Sequence, residues 1–145
     1  MPAHVFAPKE GAYVHTFTVE DRDIDALGHA NNVSFIRWIN EAAIAHSSQV
    51  GFGIDTCLKL GLVWVVRRHD VEYLRPAFVG ERIEALTWPE TLSGATSVRR
   101  TLFRRAAEIL ARSETTWALF EPSSQRPRRI PAEMRAAYGF VDAQP

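Results

Sequence analysis

Between Tyr13 and Glu20, the residues Tyr13, His15, Phe17 and Val19 alternate with Val14, Thr16, Thr18 and Glu20. Aromatic and β-branched residues at period two predict a strand. Asp21 to Asn32 is rich in turn-forming residues and has no sustained period, which predicts a loop. From Val33 to about Gln49 the apolar residues Phe35, Ile36, Trp38, Ile39, Ala42, Ala43 and Ile44 surround most of a helix. They leave a polar stripe of Ser34, Arg37, Glu41 and Ser48, so the helix must be largely enclosed. Asn31 and Asn32 suit its start, and Gly51 and Gly53 close it. Ile54 to Leu60 adds one or two further turns before Gly61.

The apolar run Leu62 to Val66 flows into Arg67 to Leu74, where polar residues alternate with Val71 and Tyr73, and the two together predict one long strand. Pro76 and Gly80 mark a turn, Arg82 to Trp88 alternates again, and Pro89 stops it. Within Thr96 to Phe120, Leu102, Phe103, Ala106, Ile109 and Leu110 also fit a helical face. The flanking Val98, Thr101, Thr115, Thr116 and Trp117 favour two strands, Thr96 to Arg105 and Ile109 to Phe120. Pro122 to Pro131 is a Pro/Ser/Arg connection, and Pro131 to Gly139 reads as a short helix with Pro at its start and Gly past its end. The sum is an α+β chain: one strand, one long helix, then four strand segments in a single domain spanning residues 1–145. A sheet of so few strands encloses only part of such a helix, which points to a second copy packing alongside.

At 145 residues one ordinary core suffices. Hydrophobic residues at 46% and charged residues at 23% exclude disordered and fibrous classes. Lys+Arg and Asp+Glu stand at 17 each, so no bulk field draws in nucleic acid or an anionic membrane. No run of eighteen apolar residues and no signal-peptide pattern in Met1 to Gly11 lead to the expectation of a cytoplasmic protein. Cys57 is the single cysteine, which permits no internal disulfide and suits a reducing compartment. His4, His15, His29, His46 and His69 show no ligand spacing, so no metal is expected.

Asp25-Ala26-Leu27-Gly28-His29-Ala30-Asn31-Asn32 places a carboxylate, an imidazole and two amides just ahead of the helix. Backbone N–H groups at a helix start, aided by the macrodipole, stabilise an oxygen that gains negative charge. Gly28 lets the backbone turn tightly and leaves room for a ligand. The same composition is also that of ordinary turns and N-caps.

The string Asp23 to Trp38, with its Asp-x-Asp-x-x-Gly-His-x-Asn-Asn core, together with Arg67 to Pro76 and its Tyr73-Leu74-Arg75-Pro76 end, resembles the hot-dog-fold thioesterases of the 4-hydroxybenzoyl-CoA thioesterase type. The resemblance implies an antiparallel sheet wrapped around one long central helix and hydrolysis of an acyl-CoA thioester. It implies Asp25 as nucleophile or general base, with Asp23 left as a loop residue, and the backbone N–H of Asn32 polarising the carbonyl. The related acyl-carrier-protein thioesterases share the His-x-Asn-Asn continuation and use Asp, Asn and His at alternate positions. Here those are Asp25, Leu27 and His29, and because leucine cannot replace an amide, His29 is kept only as a water-orienting or structural group. Gly28, Asn31 and Phe35 are the expected substrate contacts, Phe35 standing where many relatives have Tyr and lining the acyl pocket or core.

No cofactor is implied, since CoA arrives with the substrate, and the expected assembly is a homodimer or homotetramer. Arg104, Arg105, Arg126, Arg128 and Arg129 are candidates for the CoA phosphates, against a solvated basic edge. Two rival readings remain. One is a hot-dog enoyl-CoA hydratase or dehydratase; the other is a non-catalytic acyl-CoA-binding module, for which a DNA-linked form lacks the basic helix-turn-helix it would need.

Overall fold

The computed structural model describes residues 6–141; Met1 to Val5, including His4, lie outside the described residues. The elements run β1 (Tyr13–Thr18), a 3-10 turn (Asp21–Asp23), α1 (Asn32–Gln49), α2 (Ile54–Lys59), β2 (Val63–Tyr73), β3 (Arg82–Pro89), β4 (Thr96–Arg105), β5 (Glu108–Glu121), β6 (Arg126–Pro127) and α3 (Ala132–Ala137). The strands form one antiparallel sheet in the order β1-β3-β4-β5-β2, with β6 folding back on the end of β5. Every expected strand and helix appears within two residues of its expected bounds. The two-residue β6, inside the Pro/Ser/Arg connection, is an addition.

The sheet curls around α1, which buries Phe35, Trp38, Ile39, Ala42 and Ala43, a helical stripe at i, i+3, i+4, i+7 and i+8. Register sets the sheet's half of this core: His15 pairs with Ala85, Ala85 with Phe103 and Phe103 with Ala111, so these residues share the face turned toward the helix. Trp38 fills the centre, 4.6 Å from the Phe17 ring and 4.8 Å from Phe35. On the outer face Leu86, Trp88 and Leu102 are also buried, beneath the N-terminal segment, where Phe6 meets Trp88 edge-on.

The polar stripe of α1 corrects one expectation. Ser34 is buried rather than solvent-facing, while Ile44 is 41% exposed. Ser34 is turned inward because a buried carboxylate needs its hydroxyl, as described below. The ambiguous stretch resolves into two strands joined at Ala106, which takes a positive φ of 52°. The apparent helical period there arises because the strand ends flanking the two-residue turn are apolar on both faces, Phe103 and Leu110 inward and Leu102 and Ile109 outward.

Candidate active site

The segment before α1 is a small closed hairpin. Ile24 and Ala30 form an antiparallel bridge, the Asp25 N–H donates to the His29 carbonyl at 3.1 Å, and the Gly28 N–H donates to the Asp25 carbonyl at 3.0 Å. Asp25 caps its own turn: Oδ1 accepts from the Leu27 N–H at 2.8 Å. Gly28 closes the turn at φ 89°, and a Cβ there would meet nothing within 4 Å, so backbone conformation rather than crowding calls for glycine. The Asp25 carboxylate is half-buried; the Leu27 side chain at the tip is 78% exposed.

Two backbone bonds fix this hairpin. Ala30 donates to the carbonyl of Ala77, in the turn after β2, at 2.8 Å, and Asn31 donates to the Asp23 carbonyl at 2.8 Å. Asp23 is the anchor, only 1% exposed. Its Oδ1 accepts from Ser34 Oγ at 2.9 Å and pairs with Arg37, while Oδ2 accepts from the Glu20 N–H at 2.9 Å. A buried carboxylate survives only when paired and hydrogen-bonded in this way. The expectation of Asp23 as a plain loop residue is therefore corrected: it ties the end of β1, the hairpin and the first turns of α1 together.

At the start of α1, Asn31 is the N-cap; its side chain accepts from the Ser34 N–H at 2.7 Å. Asn32 and Val33 follow as exposed first-turn residues whose N–H groups have no carbonyl four residues back within the helix. The Tyr73 hydroxyl, at the end of β2, donates to the Asn32 carbonyl at 3.4 Å. Phe35 is 3% exposed and lies edge-on to Trp38, Tyr73 and Phe103, in the core of this single chain. His29 Nδ1 sits 3.3 Å from the Ala30 carbonyl, with its ring edge-on to Phe78. The hairpin thus gathers Asp25, Gly28 and His29 beside Asn31 and Asn32.

Among the arginines considered for phosphate contact, Arg104 pairs with Glu84, Arg105 with Glu81 and Glu108, and Arg128 with Glu121. Arg126 and Arg129 have no carboxylate partner among the described residues. No group of three or more potential metal ligands occurs among the described residues, and no helix there is long and apolar enough to cross a membrane.

A second feature escaped the sequence reading. A cavity of about 250 Å³ lies between the last turns of α1, α2, the starts of β2 and β4, and α3. Counted along the helix at 1.5 Å per residue, its lining residue Ile44 is roughly 18 Å from Asn32. Arg99, 5% exposed, is part of its wall. Arg99 Nη1 lies 3.0 Å from His46 Nδ1 and donates to Thr87 Oγ1 at 3.1 Å, and the guanidinium lies over the Tyr138 ring. Burial lowers the Arg99 pKa to about 10, so it is a cation at neutral pH. Burial and the Arg99 charge lower the His46 pKa to about 4, so the imidazole is neutral and Nδ1 can accept from Arg99. The legible signal was Arg99 itself, a charge at an inward register position between Ser97 and Thr101 of β4.

A stability prediction follows. His46 is packed against Arg99, Tyr13 and Tyr138. Because its folded pKa lies below the unfolded value of about 6.5, the unfolded chain binds the extra proton first. Stability contributed by this site is complete above pH 6.5 and declines as the pH falls toward 4. The Tm of a His46→Gln protein, whose amide oxygen can still accept from Arg99, should fall less than the wild-type Tm between pH 7 and pH 5. Parallel Tm curves would remove His46 as the cause.

The curled antiparallel sheet around one helix is the hot-dog fold. A 1,4-dihydroxy-2-naphthoyl-CoA thioesterase from Synechocystis superposes with a TM-score of 0.82 at 18% identity, covering 92% of this chain and all of that one. In sequence, the family model described as "Acyl-ACP thioesterase N-terminal domain" matches residues 10–138. The chain belongs to that family. It is 27% identical over 148 residues to a chloroplastic dodecanoyl-[acyl-carrier-protein] hydrolase of Cinnamomum camphora, covering 94% of this chain and 38% of the relative. It is 32% identical over 113 residues to a palmitoyl-acyl carrier protein thioesterase of Cuphea hookeriana, covering 74% of this chain and 27% of the relative. The chain therefore spans well under half the length of these relatives.

Proposed function

We propose that this chain hydrolyses an acyl thioester, with Asp25 as the reacting carboxylate and the first N–H groups of α1, beginning at Asn32, as the site that polarises the carbonyl. The observation that carries this reading is the anchored hairpin. It holds a half-buried carboxylate on a turn that runs directly into a helix start with unspent donors. Membership in a thioesterase family supports the same chemistry.

In the proposed reaction the thioester carbonyl oxygen faces the Asn32 N–H. Asp25 either attacks the carbonyl carbon, expelling the thiolate and leaving an acyl-Asp25 anhydride that water then hydrolyses to the free acid, or takes the proton of an attacking water and passes it to the departing thiolate. Negative charge gathers on the carbonyl oxygen in both routes, so both use the helix donors. General base catalysis is worth about 10² to 10⁴ in rate and one oxyanion donor about 10² to 10³. Asn31, committed to its capping bond, shapes this start, Gly28 keeps the approach open, and His29 orients water at the hairpin's far leg. Phe35 closes the floor of the site from the core side. The leaving group is the pantetheine thiol common to CoA and acyl carrier protein. The buried thiol of Cys57 suits a reducing compartment such as the cytoplasm.

Self-association belongs to the same reading. β2 ends the sheet with an eleven-residue strand whose outer edge is unpaired among the described residues. Val66 and Tyr73 on it are exposed. Antiparallel pairing of two such edges makes a symmetric dimer and covers both.

A non-catalytic acyl-binding module is the second reading, favoured because the matched family is an N-terminal domain and the chain spans 38% of a longer relative. Thiol release across short, medium, long and aromatic acyl-CoAs, with the matching acyl-carrier-protein thioesters, separates the two. Turnover on any of them supports hydrolysis; saturable binding with no thiol release leaves only the second reading.

A further inference from the structure

The cavity at the far end of α1 has two unlike walls. Ala43, Ile44, Phe52, Leu62 and Trp64 are apolar, whereas Arg99, with Ser97, Ser47 and Tyr138, forms one polar pole. The Tyr138 hydroxyl is held by Ser47 at 2.6 Å. Arg99 is a buried cation at neutral pH, and no carboxylate lies within ion-pair distance of it among the described residues. Its Nη1 group is engaged by neutral partners only, the Nδ1 of His46 and the hydroxyl of Thr87.

A buried charge without a counter-ion is costly, and structures retain one mainly where an ion is to be met. Arginine has five N–H donors in a planar fork that matches a carboxylate. At about 30 Å³ per water-sized group, 250 Å³ holds on the order of eight such groups. That is the size of a six-carbon or monocyclic aromatic acid.

We propose that this cavity is a binding site for a small carboxylate with an apolar body, its carboxylate paired with Arg99 and its body against Trp64 and Phe52. The site is separate from the Asp25 corner and its occupancy does not depend on hydrolysis. Two sources share this chemistry: a free acid, and the far end of an acyl group that itself terminates in a carboxylate.

Hexanoate and its neutral isostere hexanamide are the probes, titrated against the full chain with tryptophan fluorescence as readout, since Trp64 and Trp117 line the cavity. Hexanoate should bind at least about tenfold more tightly, as expected of a charge-assisted pair, and Arg99→Met should abolish that preference. In the wild-type protein, proton NMR should show contacts between hexanoate and the Trp64 or Trp117 indoles, a localisation that needs no variant to fold. Equal affinities, binding of neither probe, contacts elsewhere, or a preference that survives in folded Arg99→Met would overturn the assignment. Competition of hexadecanedioyl-CoA, but not palmitoyl-CoA, with bound hexanoate identifies the acyl-terminal source, since a chain of that length spans the distance from the start of α1; no competition by either identifies the free acid.

Discussion

Asp25→Asn should lower kcat for thioester hydrolysis at least about a hundredfold while leaving the protein folded. The substitution is close to isosteric, and the asparagine Oδ1 can still accept the Leu27 N–H that Asp25 Oδ1 accepts now. The turn at Gly28 is then preserved and only the negative charge is lost. The readout is thiol release by steady-state kinetics, with circular dichroism and the Tm as controls. Since the helix-start donors remain, residual binding of the thioester is expected, so the loss falls on kcat more than on KM. Near-normal turnover in a folded Asp25→Asn protein would remove the carboxylate from the mechanism.

The neighbouring aspartate should behave in the opposite way. Asp23→Ala strips the acceptor from Ser34 Oγ, from the Glu20 N–H and from Arg37, all gathered about a side chain that is 1% exposed. Breaking a buried ion pair by removing one partner typically costs 3–5 kcal/mol. Arg37 is 32% exposed on its side chain and can turn to Glu41, so the lower end applies, about 3 kcal/mol. For a chain of this size that is a fall of about 10 °C in Tm. Ser34→Ala removes one of the three bonds and should cost about 1 kcal/mol. Chemical denaturation of both variants checks the order. An Asp23→Ala protein as stable as wild type would show that the anchor is not what holds the hairpin. The pair of substitutions separates two carboxylates two residues apart, one carrying stability and the other turnover.

The sequence distinguished these carboxylates only through resemblance to a family. Asp23 and Asp25 sit in one aperiodic, turn-rich segment, and neither spacing nor composition says which is buried. What buries Asp23 is the meeting of Glu20, Ser34 and Arg37, which lie three, eleven and fourteen positions from it in the chain. Ser34 and Arg37 look like a solvated stripe on a helical wheel because the wheel contains nothing from outside the helix. The elements themselves were legible because their periods were strong: two for Tyr13 to Glu20 and near 3.6 across Phe35 to Ala43. The centre of Thr96 to Phe120 was ambiguous because the two strands that meet at Ala106 are apolar on both faces there, Phe103 and Leu110 toward the helix and Leu102 and Ile109 toward the outer cluster with Trp88. The cavity at Arg99 is assembled from α1, α2, β2, β4 and α3, so no local pattern announces it.

The phosphate-contact expectation fares unevenly for a similar reason. Arg104 and Arg105 each find a glutamate on a neighbouring strand or turn, at 2.8 Å and 2.7 Å. Glu84 faces Arg104 through cross-strand register and Glu81 sits in the turn before β3, and a linear reading contains neither placement.

Polarisation of a bound carbonyl at the start of α1 is the physical core of the proposed chemistry, and it can be observed without turnover. The measurement is an isotope-edited infrared difference spectrum of an acyl thioester labelled at its carbonyl carbon, bound to folded Asp25→Asn protein. A carbonyl band displaced to lower frequency than in water, with no thiol released over the same period, is the predicted result. A band at its aqueous position would mean that the N–H groups beginning at Asn32 do not meet the carbonyl, and the proposed site would fail.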